Sequence, residues 1–156
     1  MLFKPELIEK IKAGKKTQTR RPVRGVNLAV DKSGNPGATD SPFFAQIGPI
    51  EVVMTEKGRA IYEVGKTYAI CPGRGKPQVA RYKLLKIRYE DVRNISDADA
   101  MAEGFSDRQG FWKVWVNFYD PYLQRQTEQH GDGVYYLDER PANMYTAWAL
   151  TFELCR

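Results

Sequence analysis

Apolar positions along the chain change period in ways that mark out its elements. Between Pro5 and Ala13, Leu7, Ile8 and Ile11 recur at helical spacing. Pro5 suits the first turn of that helix, and Gly14 suits the left-handed position that ends one. From Thr17 a period of two places Thr17, Thr19 and Arg21 on one strand face and Gln18 and Arg20 on the other. After Pro22 the residues are turn formers, including Gly25, Asn27, Ser33, Gly34, Pro36 and Gly37. That stretch predicts an insertion, with Asp31 to Asn35 suited to a hairpin tip between Leu28–Val30 and Phe43–Ala45.

Gly65 to Ile70 reads as a short strand and Val79 to Tyr89 as the longest one. In the latter Ala80, Tyr82 and Leu84 carry the apolar phase, after which Leu85, Ile87 and Tyr89 take it over. A phase change of this kind predicts a bulge or a barrel corner. Ser96 begins a helix with Asp99 at the capping-box position, and Gly104 ends it. A second helix is predicted from Ser106 to about Tyr119, with Phe111, Val114, Trp115 and Phe118 as its core stripe and Trp112 on the flank, free to stack on a base. Residues 120–145 read as polar and aromatic loop, with a hairpin about Gly131–Gly133. Trp148, Leu150, Phe152 and Leu154 alternate in a closing, half-buried strand.

Strands and helices without a regular βαβ alternation favour an α+β barrel over a doubly wound sheet. The length, 156 residues, suits one domain able to bury a core without disulfides. No apolar run approaches a membrane span, and the first residues lack a secretory apolar region, so a cytoplasmic protein is expected. Cys71, Cys155 and His130 are the only cysteines and histidine, too few for a Cys/His zinc site, and no metal or cofactor is expected.

The formal net charge is +5, and its distribution matters more. Residues 1–25 hold eight Lys/Arg against Glu6 and Glu9, and residues 57–93 hold ten against Glu63, Glu90 and Asp91, whereas residues 94–156 hold five against ten Asp/Glu. A positive surface for phosphate follows, Lys15, Lys16, Arg21, Arg81 and Lys83 being its candidate residues. The densest concentration is Gly14-Lys15-Lys16-Thr17-Gln18-Thr19-Arg20-Arg21, at a helix exit, where an anion or a polar ring can be held.

Gly14, Lys16, Thr19 and Arg21 resemble the Gly-x-Lys-x-x-Glu-x-Arg signature of the ASCH family, with Thr19 in place of the commoner glutamate. That family comprises small PUA-like β-barrel domains associated with RNA. Ala13-Gly14-Lys15-Lys16-Thr17-Gln18-Thr19 is similar to the Ala-Gly-x-Lys-Thr-x-Thr of its small bacterial amidohydrolase branch. The resemblance extends to the Val64-Gly65-Lys66-Thr67-Tyr68 strand entry, the long strand from Val79, the Ile95 to Phe105 helix and the closing strand. It implies one ASCH-type domain over 1–156, an α+β PUA-like mixed β-barrel flanked by helices, with insertions at about 23–60 and 120–145.

The resemblance also implies a catalytic trio of Lys16, Thr19 and Glu103, the last in Asp99-Ala100-Met101-Ala102-Glu103-Gly104. In chemical terms Thr19 offers a hydroxyl nucleophile, a neutral Lys16 a base, and Glu103 a group to orient the amine or the substrate ring. A lysine titrates near ~10.4, so a base working near neutrality needs a depression of roughly three units. Lys15, Arg20 and Arg21 push that way, while the helix C-terminus and Glu103 oppose them. Arg21, whose charge needs no tuning, is the better anchor for a phosphate or carbonyl, with Thr17 and Lys15 beside it.

Three functions remain open at this point. The implied one is hydrolysis of an acylated cytidine, N4-acetylcytidine being the substrate. A metal-independent ribonuclease is the second, with Tyr68, Tyr82 and Tyr145 available to activate a ribose hydroxyl. The third is a non-catalytic RNA-binding module. All three expect RNA or a modified nucleoside as partner and no membrane. The sequence leaves the oligomeric state open.

Overall fold

The structure is a computed structural model that describes residues 1–23, 27–34, 36–38, 49–55, 57–120 and 145–155. Helix α1, Pro5–Lys12, opens on proline, carries Glu6 in its first turn and Lys10 and Lys12 in its last, and buries Ile8 and Ile11. Gly14, at φ +71°, turns the chain out of the helix. The amides of Lys15 and Lys16 both donate to the Lys10 carbonyl, which folds the following segment back toward the body of the protein.

Strand β1, Gln18–Pro22, is the edge of a four-stranded antiparallel sheet in the order β1, β8, β7, β6, where β6 is Thr67–Ile70, β7 Ala80–Asp91 and β8 Thr146–Leu154. A second antiparallel sheet has the order β3, β2, β4, β5, formed by Asn27–Val30 (β2), Pro36–Ala38 (β3), Val52–Thr55 (β4) and Ala60–Glu63 (β5). The described residues of the turn-rich segment form a hairpin of β2 with β3, and the strand predicted at Phe43–Ala45 lies outside the described residues. An isolated bridge, Ile50 to Ile87, joins the two sheets, and a parallel bridge, Leu2 to Cys71, ties the amino terminus to the end of β6. Among the described residues the ladders do not run on into a closed barrel. Most of 120–145, including the hairpin predicted about Gly131, lies outside the described residues.

The bulge read from the phase of β7 is present. Leu84 pairs with Phe152 and Lys86 with Thr151, so Leu85 is the extra residue. Leu85 is exposed, and Tyr82, Leu84 and Ile87 all face the core. Strand β8 is central and buried on both faces from Thr146 to Leu150. Leu150, Trp148 and Phe152 pack in the core with Phe3, Ile8 and Ile11, whereas Ala147 packs with Val92, Trp112 and Trp115 on the other side.

Helix α2, Asp97–Ala102, is capped by the Ser96 hydroxyl, which accepts from the Asp99 amide at 3.1 Å. It closes in a Schellman arrangement. Phe105 N–H donates to Ala100 O and Gly104 N–H to Met101 O, with Gly104 at φ +92°. Helix α3, Arg108–Tyr119, is capped by Asp107 and buries Phe111, Trp112, Trp115 and Val116. The buried face is thus rotated toward Trp112 from the predicted stripe. Phe118 is 60% exposed, and the indole N–H of Trp112 donates to Val92 O at 2.9 Å, so Trp112 is a core residue and not a base-stacking one.

Candidate functional site

The amide of Thr17 donates to the Ala102 carbonyl at the end of α2, and the Thr17 carbonyl accepts from Phe152 in β8. This pair of bonds docks the start of β1 between α2 and the sheet. It brings Lys16 against Glu103, the residue that ends α2. The Lys16 ammonium donates to the Gln18 carbonyl at 2.7 Å, the Glu103 carbonyl at 2.6 Å and the Glu103 Oε2 at 2.6 Å. Both side chains are nearly inaccessible, at 1% and 4% exposure. Phe3 lies under this ammonium, 5.8 Å from ring centre to Nζ, and under the Arg21 guanidinium at 5.2 Å.

Burial is the largest influence on Lys16 and pushes its pKa below the usual lysine range. Glu103 opposes this through its charge and its hydrogen bond, while Arg21 and Arg20 act in the same direction as burial. Desolvation favours the neutral amine, and the Glu103 carboxylate, 2.6 Å away, favours the ammonium.

Lys16, Thr19, Arg20, Arg21 and Glu103 line one cavity of about 410 Å³, within the size range of small-ligand sites. Phe105, Phe111, Trp115 and Tyr119 from α3 and the segment before it form its aromatic wall, with Phe118, Leu2 and Lys4 also lining it. Arg21 donates to the Leu2 carbonyl at 2.9 Å. Among the described lining residues Glu103 is the one carboxylate, against Lys4, Lys16, Arg20 and Arg21. The cavity therefore suits a flat ring with acceptor oxygens.

The sequence-predicted residues divide. Lys16, Thr19, Arg21 and Glu103 share this cavity. Thr17 and Lys83 line a second concavity, of about 710 Å³, with Lys12 and Glu153, which Lys16 also borders. Lys15 is exposed and lines neither. Arg81 is held on the surface by Thr67, its Nη2 donating to Thr67 Oγ1 at 3.0 Å. Of the three tyrosines, Tyr82 and Tyr145 are fully buried, and the Tyr68 hydroxyl accepts from the Glu63 amide. Burial raises the Tyr82 phenol well above its usual value. None of the three lines the cavity.

Sequence reasoning counted Arg20 as a like charge near Lys16 but did not name it as a site residue. Its side chain is fully buried, with Nη1 3.3 Å from Glu103 Oε1, Nε on Glu90 and Nη2 3.6 Å from Asp99. Strand alternation places Arg20 on the face opposite Thr19 and Arg21, which hides its contact with Glu103.

A family model described as ASCH domain matches residues 45–135. The chain belongs to the ASCH family. The match covers the second half of the site, α2 with Glu103 and α3 with the aromatic wall, and begins after the Gly14–Arg21 motif. No curated protein matches the chain. Among solved structures, a protein from Enterococcus faecalis V583 is 15% identical, with a TM-score of 0.50 over 96% of this chain and 69% of its own. An ASCH domain from Lactobacillus crispatus JV V101 is also 15% identical, with a TM-score of 0.48 over 96% of this chain and 70% of its own. The ASCH chain thus has an α+β, PUA-like fold, of a family associated with RNA binding.

Proposed function

We propose that this ASCH protein accepts a modified pyrimidine nucleoside in the 410 Å³ cavity and hydrolyses the exocyclic amide of an N4-acylated cytidine. One observation carries the reading. Lys16 and Glu103, 87 positions apart, meet at 2.6 Å and share a cavity with Thr19 under an aromatic wall. In the resting pair Lys16 is an ammonium. Transfer of one of its protons to Glu103 leaves an amine able to take the Thr19 hydroxyl proton as the oxygen attacks the acyl carbon. The C–N bond then breaks, the leaving amine of cytidine takes the proton from Lys16, and water releases the acyl group from Thr19 as a carboxylic acid. Arg21, whose guanidinium stays charged, anchors an oxygen of the substrate.

A second reading rests on the ammonium itself. All three of its donors are occupied in the resting state, and a lysine so held is a structural part of the cavity wall, which leaves Arg21 to grip a ligand. On that reading the cavity holds a nucleoside, or a base of RNA, without turning it over. Incubation with N4-acetylcytidine separates the two. The hydrolase releases cytidine and acetate, and Lys16→Ala, Thr19→Ala and Glu103→Ala each abolish the release. Intact substrate after prolonged incubation with the wild-type protein sinks the hydrolase and leaves the binding module.

A further inference from the structure

Beside the cavity, and sharing Arg20 with its lining, lies a closed ring of four charged side chains. Arg20 on β1 and Arg88 on β7 lie across Ala149 of β8 in register, and Glu90 follows Arg88 on the same face of β7. Ala149 is buried and carries only a methyl group, so the two guanidinium stems share the space above it. Asp99 reaches in from α2. Arg20 pairs with Glu90, Glu90 with Arg88 at 3.5 Å, Arg88 with Asp99 at 3.3 Å, and Asp99 with Arg20 at 3.6 Å. Burial works against the Asp99 carboxylate, but the Gln18 side chain and the two arginines outweigh it and keep its pKa below the usual value.

Arg20 makes one more contact, and it leaves the ring. Its Nη1 donates to Glu103 Oε1 at 3.3 Å, with Gln18 Oε1 3.1 Å away on the same nitrogen. Glu103 is therefore gripped at both oxygens, Oε1 by Arg20 and Oε2 by Lys16. The Arg20 guanidinium also lies 5.9 Å from the Phe111 ring centre, which closes its remaining face. Its side chain is 0% exposed, and Arg88, Glu90 and Asp99 stand between it and water.

The structure assigns to Arg20 the role of a positioning residue. Locked by the Arg88–Glu90–Asp99 ring, it fixes the Glu103 carboxylate so that Oε2 stays on the Lys16 ammonium. The assignment rests on the proposed hydrolase reading for its catalytic consequence and on geometry alone for its structural one. It supplies what a proton relay between a lysine and a carboxylate requires, a carboxylate that cannot rotate away. A displacement on the order of 1 Å in such a pair costs roughly a hundredfold in rate.

The variants Arg20→Met and Arg20→Lys test it. Arg20→Met leaves Glu90, Asp99 and Glu103 each short of a cation and is therefore destabilising, so both variants are first shown to fold, Arg20→Lys keeping the charge. Turnover of N4-acetylcytidine should fall about 10- to 100-fold in kcat with KM little changed, as expected when a positioning contact rather than a binding contact is lost. The acid limb of the pH–rate profile should also move to higher pH, because one of the cations that disfavours the Lys16 ammonium is gone. The charged groups facing the Lys16–Glu103 pair are Lys10 from α1, Arg20 and Arg21 from β1, Arg88 and Glu90 from β7, and Asp99 from α2. Only Arg20 is altered.

Asp99→Asn opens the ring while keeping the Arg20 side chain and should lower kcat in the same direction at smaller size, without the move of the acid limb to higher pH, which covers the case in which an Arg20 variant does not fold. A readout independent of turnover is the carboxyl carbon resonance of Glu103, its position and line width. In wild type a single sharp line is expected. In Arg20→Met, or in Asp99→Asn to a lesser degree, the line should move and broaden as the carboxylate samples further rotamers. Unchanged kcat and an unchanged Glu103 line in folded variants overturn the assignment. If wild type proves inactive, the hydrolase reading falls by itself and the Glu103 line still decides the role of Arg20.

Discussion

Replacing Glu103 with glutamine removes one charge from the buried pair and nothing from its shape. At an effective dielectric of about 20, a 2.6 Å contact carries about 6 kcal/mol of Coulomb attraction, most of it consumed by desolvation. Taking one partner away leaves the other stranded, at a cost of about 3–5 kcal/mol. Glutamine keeps an acceptor for the ammonium, and Arg20 keeps Glu90 and Asp99, so the lower end, about 3 kcal/mol, is expected. A domain stable by about 5–15 kcal/mol survives that loss. The cost should depend on pH with a definite sign. The folded Lys16 pKa lies below its unfolded value of 10.5. Between the two values the unfolded chain binds the extra proton, so stability rises with pH across that window. Without Glu103 the folded pKa drops further and the window widens downward. The deficit of the variant should therefore shrink as pH rises. Urea unfolding of both proteins from about pH 6 to about pH 9.5 measures it, other titrating groups cancelling in the difference. A deficit under about 1 kcal/mol that does not change with pH would refute the reasoning, because it is what a solvated pair gives.

Other expectations follow from single contacts. Gly104→Ala should destabilise by about 1–2 kcal/mol in thermal unfolding, because φ is +92° there and the added Cβ would sit 3.2 Å from the Lys10 side chain; a stability equal to wild type would contradict the Schellman closure. Trp112→Phe should lose about 1 kcal/mol with its bond to Val92 and leave nucleoside affinity unchanged, measurable by calorimetry. Arg81→Ala and Lys83→Ala should leave the affinity for a free nucleoside unchanged, since neither lines the cavity. A loss for either would place the ligand outside it.

Features governed by neighbours along the chain were legible. Pro5, the Leu7–Ile8–Ile11 spacing and Gly14 define α1 and its exit; Ser96 and Gly104 bound α2; the phase change at Leu84–Leu85 announces the bulge. Lys16, Thr19, Arg21 and Glu103 were found through a motif, and the fold brings all four to one cavity. What stayed hidden depends on partners distant in sequence. Arg20 is buried because Ala149 leaves room and Asp99 arrives from another element, and alternation along β1 carries no trace of either. The face of α3 was misread because the stripe from Phe111 to Phe118 is geometrically sound, yet Val92 and Ala147 receive Trp112 and Val116 instead. The turn-rich residues after Pro22 gave a hairpin but no hint that β4 and β5 would complete a sheet with it.

The central claim is that Lys16 takes and returns a proton, and Lys16→Arg tests it most directly. The substitution preserves charge and approximate length, but guanidinium does not give up its proton at working pH. Turnover of N4-acetylcytidine is measured for wild type and Lys16→Arg across the pH range. The account predicts wild-type release of cytidine and acetate that rises with pH through a lysine pKa below the ordinary value, and no turnover by a folded Lys16→Arg. Release by Lys16→Arg at a rate near wild type would contradict it.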